Sequence, residues 1–264
     1  MARRRLSGMR ILLTGASSGI GFSLAKQLTQ RGARVLATAR RLDRLEQLIE
    51  ETRHHPGKLH VLNGDLTSST HRRKLADWCL ENWGALDALI NNAGAGAIGA
   101  FEQASEDRLR RVMEIDFFAP VELTRISIGL LKAGNRPAIL NISSVLAHRA
   151  VPNKSEYCAA KFALRGWAES IRVELANSGI EVLMLSPSTT RSEFFDSLLD
   201  THPNTKSRAL GSMSPERVAE FACKALIRSN RDMILSFGGK ALVAMGRFFP
   251  NLTDRFLRKT INDH

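Results

Sequence analysis

The chain has 264 residues, 44% of them hydrophobic and 24% charged, the proportions of an ordinary globular protein with enough apolar material for a sizeable core. Those values exclude wholesale disorder, and no apolar run approaches the roughly 18–20 residues of a membrane span. The formal net charge of +12 is the one unusual bulk property; it favours anionic partners such as phosphates, acidic membrane surfaces or nucleic acid, or is simply a basic, solvated surface.

The amino terminus, Met1-Ala2-Arg3-Arg4-Arg5-Leu6, is basic and carries no long apolar stretch or small-residue cleavage site before Gly15, so no secretory leader is expected. Short apolar runs at residues 11–13, 35–37, 59–62, 88–90, 138–142, 181–185 and 233–235 follow. Their nearly continuous apolar character suits parallel strands covered on both faces. Helical patterns over 19–31, 42–53, 70–83, 105–132 and 156–178 separate them; the first ends at Gly32, an expected left-handed cap, and the last near Gly179. This alternation means βαβ units with right-handed crossovers. There is no repeat, low-complexity tract or long linker, so residues 1–238 are expected to form one doubly wound α/β domain of Rossmann type, a seven-stranded, mostly parallel sheet with helices on both faces. Residues 239–264 differ: apolar positions mix with Lys240, Arg247, Arg255, Arg258 and Lys259. Two short amphipathic helices broken at Pro250 are expected there, either packed on the parent domain or docked on an anionic membrane surface.

Cys79, Cys158 and Cys223 are scattered and odd in number, which gives neither a disulfide framework nor a Cys-x-x-Cys site and points to a reducing, cytoplasmic setting. His54-His55 has no partner at metal-ligand spacing and reads as a solvated pair; no metal is expected.

Directly after the first apolar run comes Thr14-Gly15-Ala16-Ser17-Ser18-Gly19-Ile20-Gly21. A strand, a glycine-rich turn and a helix start form a pyrophosphate cradle: glycine lets the backbone approach closely, and the helix start offers N–H groups and a positive dipole end. A dinucleotide is therefore expected here. At the end of the second strand, where NAD sites usually place an acid for the ribose 2′-hydroxyl, stand Arg40 and Arg41. A guanidinium can hold a 2′-phosphate in a forked, charge-assisted geometry, so NADP(H) is the expected cofactor; the bland alternative is two solvated arginines.

Further on come Asp65, Asn91-Asn92-Ala93-Gly94, Ser144 and Tyr157-Cys158-Ala159-Ala160-Lys161. With the glycine turn these stand in the order and spacing of the short-chain dehydrogenase/reductase family, which the chain resembles over about residues 8–236. The resemblance implies that Tyr157 is the acid/base on a carbonyl or alcohol oxygen, that Ser144 orients that oxygen, and that Lys161 holds the nicotinamide ribose and tunes Tyr157. It assigns Asp65 to the adenine, Asn92, Ala93 and Gly94 to the ribose and cofactor backbone, and Pro187, Thr189, Thr190 and Ser192 to the nicotinamide side. Independently, Tyr157 and Lys161 lie four apart on one helix face, and an ammonium there would lower a phenol pKa from its ordinary value near about 10 toward neutrality.

Three positions depart from the family pattern. Asp116 stands where the family usually has the Asn that helps hold a water linking the lysine to solvent; a carboxylate keeps the acceptor, loses the amide donor and adds a charge that can bind Lys161. Ser188 replaces a usual Gly and is expected to narrow that turn. Ser192 replaces a usual Thr but keeps the hydroxyl.

The whole set implies an NADP(H)-dependent oxidoreductase that passes a hydride between nicotinamide and a small carbonyl or secondary alcohol, running toward reduction. Residues 95–103 and 189–212 are the expected substrate loops, and Phe194, Phe195, Leu198 and Leu199 at helical spacing suit an apolar substrate or a packed surface helix. A non-catalytic NADP(H) sensor or scaffold of the same fold is the alternative, prompted by Asp116 and Ser188. No nucleic-acid module is legible. The resemblance also implies a homodimer or homotetramer.

Overall fold

The computed structural model describes residues 3–190 and 212–262, with side chains through residue 258. Each apolar run forms its strand: β1 (Arg10–Thr14), β2 (Arg34–Ala39), β3 (Lys58–Asn63), β4 (Ala88–Asn91), β5 (Ala138–Ile142), β6 (Glu181–Ser186) and β7 (Asp232–Ile234). Their order across the sheet is β3-β2-β1-β4-β5-β6-β7. Every neighbouring pair is parallel, so the sheet is parallel throughout rather than mostly so.

Helices α1 (Gly19–Gln30), α2 (Leu42–Thr52), α3 (Ser69–Trp83), α4 (Glu106–Met113), α5 (Ala119–Lys132), α6 (Ser155–Glu174) and α7 (Pro215–Arg228) follow the strands. Successive strand residues face opposite ways, and both sides are apolar. Ile11, Leu13, Val35 and Ile90 join Leu24, Leu28, Leu45 and Val218 in one core. Leu12, Leu36, Leu89 and Ile139 join Leu75, Leu123, Leu131 and Ala168 in the other. Burial on both sides is why the runs are continuously apolar.

The helix expected over 105–132 is interrupted. Between α4 and α5 lies a π-helical turn, Glu114–Phe118, and such widened turns recur where a helix must aim a functional side chain. Asp116 sits inside it, fully buried. The helix expected over 156–178 stops at Glu174 and ends in a 3₁₀ turn, Ala176–Ser178. His54 is exposed, but His55 is not simply solvated: its Nδ1 lies 2.8 Å from Thr29 Oγ1.

The tail forms α8 (Phe237–Phe248) and α9 (Pro250–Asn262), broken at Pro250 as expected. Gly239 is buried, and a Cβ there would lie 2.7 Å from Val145 Cγ2. An Arg149–Asp254 ion pair ties α9 to the turn after β5. One side of the tail is thus packed on the parent domain. No helix among the described residues is long and apolar enough to cross a membrane.

Ahead of the site, the N-terminal ends of the central strands are clamped by one carboxylate. Asp87 Oδ2 accepts from Arg10 N at 2.8 Å and Arg10 Nε at 2.9 Å, while Oδ1 accepts from Arg10 Nη2 and Asn135 N, each at 2.7 Å. Burial pushes the Asp87 carboxyl up, but these hydrogen bonds outweigh it and hold the pKa below the usual carboxylate range. A lowered folded pKa contributes stability above the unfolded value of about 3.9 and loses it as pH falls through the folded value. Asp87→Asn is therefore expected to cost about 2–4 kcal/mol near neutral pH and progressively less below pH of about 4. Urea unfolding of both proteins across that range checks it; a deficit that stays constant with pH would contradict the clamp.

Candidate active site

The order β3-β2-β1-β4 contains a reversal between β1 and β4, and ligands of open parallel sheets bind outside the carboxyl ends of strands at such a point. The chain is knitted tightly there. Thr14 Oγ1 accepts from the N–H groups of Asn92 and Ala93, both at 3.0 Å. Asn92 Nδ2 donates back to Thr14 O at 2.9 Å and Gly15 O at 3.0 Å. Gly15 has φ +71°, and a Cβ on it would lie 2.7 Å from Ala93 Cα. One on Gly21 would lie 2.1 Å from Gly15 O. Only glycine fits either position.

Ser18 caps α1 in an extended conformation without a side-chain hydrogen bond to the first turn. The helix thus begins with orphan N–H groups and a positive dipole end facing the cradle of Gly15, Ser17, Ser18, Gly19, Ile20 and Gly21. These features fit the pyrophosphate of a dinucleotide. Arg40 and Arg41 are exposed just beyond β2, and Arg41 Nη2 reaches across to within 3.4 Å of Ser17 Oγ. Asp65 is exposed just past β3, where its Oδ1 accepts from Thr67 N at 2.9 Å. The predicted binding residues therefore gather along the carboxyl ends of β1 to β4.

Across the cleft, Pro187 O accepts from Val145 N at 2.9 Å, which joins the segments after β6 and β5. Thr190 pairs with Met213, and its Oγ1 donates to Ser188 O at 3.3 Å. Ser188 has no positive φ, so its backbone conformation does not itself require glycine. Ser192, Phe194, Phe195, Leu198 and Leu199 lie outside the described residues.

Ser144, Tyr157 and Lys161 converge beside the cradle. Ser144 lies two residues past β5, and its Oγ accepts from Leu146 N at 3.1 Å. Tyr157 and Lys161 share one face of α6, the ammonium 5.4 Å from the phenol ring centre. Lys161 is buried, with Nζ 3.6 Å from Asp116 Oδ1. The same oxygen accepts from Ala95 N at 2.9 Å. A Cβ on Gly94 would lie 2.7 Å from it. Asp116 therefore does bind Lys161, as the added charge implies, and fixes the Asn92-Ala93-Gly94 turn as well.

The electrostatics differ from the expectation in one respect. Lys161 was expected to lower the Tyr157 pKa. In the structure burial pushes the phenol well above its ordinary value, the Asp116 carboxylate pushes the same way, and a hydrogen bond with Ser144 pulls only partly back. Burial is the larger cause, because it disfavours the phenolate whatever stands nearby, and the carboxylate paired with Lys161 adds to it. Burial likewise raises the Asp116 carboxyl, against the attraction of Lys161 and the Ala95 N–H. Burial also pushes the Cys158 thiol up, which keeps it an inert packing residue.

Two contributors escaped the sequence reading. One is the Thr14 hydroxyl, which joins β1 to β4. The other is the ion pair of Arg108 and Glu156, side chains only 3% and 4% exposed, with Arg108 Nη2 2.7 Å from Glu156 Oε1. Glu156 precedes Tyr157 directly, so this pair fixes α4 against the start of α6.

The parallel sheet, its switch point and the glycine cradle define a Rossmann-type dinucleotide-binding protein. A sequence model described as short chain dehydrogenase matches residues 9–203, and the chain belongs to that family of oxidoreductases. It is 31% identical over 262 residues to an uncharacterized oxidoreductase, YxnA, of Bacillus subtilis, covering 97% of this chain and 73% of that protein. Two solved structures share the fold. An alcohol dehydrogenase of Thermococcus sibiricus, complexed with 5-hydroxy-NADP, has a TM-score of 0.77 at 23% identity, covering 87% of this chain and 96% of that one. A short chain dehydrogenase/reductase of Burkholderia phymatum, in complex with NAD, has a TM-score of 0.85 at 20% identity, covering 94% and 96%. The fold thus accommodates nicotinamide dinucleotides with or without the extra phosphate.

Removing one partner of a buried ion pair strands the other charge. Arg108→Ala is expected to lower unfolding free energy by about 3–5 kcal/mol, and Arg108→Met combined with Glu156→Leu to recover most of it. Urea melts of the three proteins check this. A single variant within about 1 kcal/mol of the parent would show that the pair does not hold α4 to α6.

Proposed function

We propose that the protein is an NADP(H)-dependent reductase of a small, apolar carbonyl compound, with Tyr157 as the proton donor. The observation that carries this reading is the convergence of Ser144, Tyr157 and Lys161 beside the glycine cradle at the sheet's switch point. The nicotinamide, when bound, supplies the hydride. The chain's own residues do the rest. Gly15, Ser17, Ser18, Gly19, Ile20 and Gly21 would cradle the pyrophosphate, Asn92, Ala93 and Gly94 the neighbouring ribose, Asp65 the adenine, and Pro187, Thr189, Thr190 and Ser192 the nicotinamide side. Arg40 and Arg41 supply two exposed guanidiniums for a 2′-phosphate. This preference is argued from their charge, because the fold itself serves both dinucleotides.

Ser144 donates a hydrogen bond to the substrate oxygen and holds it in place. Tyr157 passes its hydroxyl proton to that oxygen as negative charge develops there. The phenol is protonated at neutral pH, the form that carbonyl reduction consumes, and its raised pKa makes it a weaker acid than a free tyrosine until cofactor and substrate are bound. Lys161 would hold the nicotinamide ribose. Asp116 is a positioning residue, fixing the ammonium and the turn at Gly94 from the π-helical turn. The exposed Leu109, Phe118, Phe162 and Val173 on and beside α4 and α6 supply apolar surface for a homodimer or homotetramer.

NADPH and NADH oxidation across a panel of apolar ketones, aldehydes and quinones tests the reading. Tyr157→Phe is expected to lose about 10²–10⁴-fold in kcat while still binding NADPH. Arg40→Ala combined with Arg41→Ala is expected to weaken NADPH binding and leave NADH binding nearly unchanged. Full turnover in Tyr157→Phe, or equal effects on both cofactors, would contradict the assignment. Tight NADPH binding with no turnover across the panel would favour a dinucleotide sensor, the reading that the Asp116–Lys161 pair supports by matching the lysine's charge.

Asp116 has its own signature. Its negative charge raises the Tyr157 pKa, and carbonyl reduction needs the protonated phenol. Asp116→Asn removes that charge, so the alkaline fall in kcat is expected to move to lower pH. A rate profile across alkaline pH that superimposes on the parent's would remove Asp116 from the mechanism.

A further inference from the structure

We propose that the outer face of α8 and α9 docks the protein on an anionic membrane surface. On α8, Phe237, Ala241, Ala244 and Phe248 recur at four-, three- and four-residue steps and form one exposed stripe. Phe237 is 88% exposed and Phe248 70%. Lys240 and Arg247 flank that stripe on the same side. On α9 and its entry, Phe249, Leu252 and Phe256 recur at three- and four-residue steps, all at least half exposed, with Arg255 beside them. The two stripes meet at the Phe248-Phe249 junction. The other sides are already used: Gly239 packs against Val145, Thr253 is fully buried, and Asp254 is paired with Arg149.

Charge decides the occupant. Across residues 237–262 the basic side chains are Lys240, Arg247, Arg255, Arg258 and Lys259, and the single acid is Asp254. The acid is committed to Arg149, so the exposed face is aromatic and cationic, in a chain of net charge +12. A second copy of the chain would set this face against itself, with basic residues opposed and no free carboxylate between them. An anionic bilayer matches both parts: aromatic rings enter the headgroup boundary, and lysine and arginine side chains remain among the lipid phosphates.

The test is co-sedimentation of the full chain with phosphatidylcholine vesicles and with vesicles containing phosphatidylserine. Strong, salt-sensitive binding to the anionic vesicles alone is expected. Lys240→Glu combined with Arg247→Glu should weaken it by at least about 30-fold, since each basic residue near an anionic surface contributes about a factor of five. Phe248→Ser combined with Phe256→Ser should also release the protein, and thermal unfolding of each variant shows whether the domain is intact. Intact variants that bind like the parent would overturn the proposal, as would equal binding to neutral vesicles. A self-association by sedimentation velocity that the Phe248→Ser and Phe256→Ser changes abolish would overturn it too, by showing that the face belongs to a second copy.

Discussion

The site depends on how closely the carboxyl ends of β1 and β4 approach each other. Gly15 and Gly21 leave no room for a Cβ, Thr14 holds two N–H groups of the facing turn, and Asn92 returns two hydrogen bonds. This seam fixes where α1 begins and aims its first N–H groups at one point. The parallel sheet supplies the two strand ends, and the topology places them side by side with no strand between. A dinucleotide cradle is the consequence of that geometry rather than an addition to it.

Buried charge organises the other half of the cleft. Lys161 and Asp116 form one pair and Arg108 and Glu156 another, and their α6 members, Glu156 and Lys161, stand on either side of Tyr157 in the chain. Charges this deeply buried are strongly destabilised when unpaired, so each pair pins the helix that carries it. The π-helical turn lets Asp116 reach both Lys161 and Ala95 N, which ties α6 to the turn after β4. The Asp116 carboxylate adds to burial in holding the Tyr157 phenol above its ordinary pKa, which keeps it protonated.

Most of this architecture was legible in the sequence because its signals are local. Two-sided burial makes continuous apolar runs, and glycine is compulsory where backbone meets backbone. The glycine turn could be read for the same reason, and Tyr157 and Lys161 as a pair four apart on one helix face, whereas Ser144 and the roles of all three came from the resemblance to the family. The π-helical turn was hidden because it shifts the apolar phase by a single residue, and α4 on its near side has only eight residues to set that phase. Arg108 was hidden because a charged residue on a polar helix reads as solvated; its partner lies 48 positions away. The direction of the Tyr157 shift differs from the expectation because the spacing of tyrosine and lysine carries no measure of burial, the largest influence on the phenol. Thr14 was read as part of a motif without its role, since its partners belong to another strand.

The tail joins the same framework, since α8 rests on Val145, one residue past Ser144. The central claim is that the cradle and the Ser144, Tyr157, Lys161 cluster serve one hydride transfer. The most direct measurement is mass spectrometry of the alcohol formed from an apolar ketone with NADPH deuterated at the transferable C4 position. The account predicts one deuterium on the carbinol carbon for each NADPH oxidised. An alcohol without deuterium, or NADPH bound and never oxidised in the presence of every ketone offered, would contradict it.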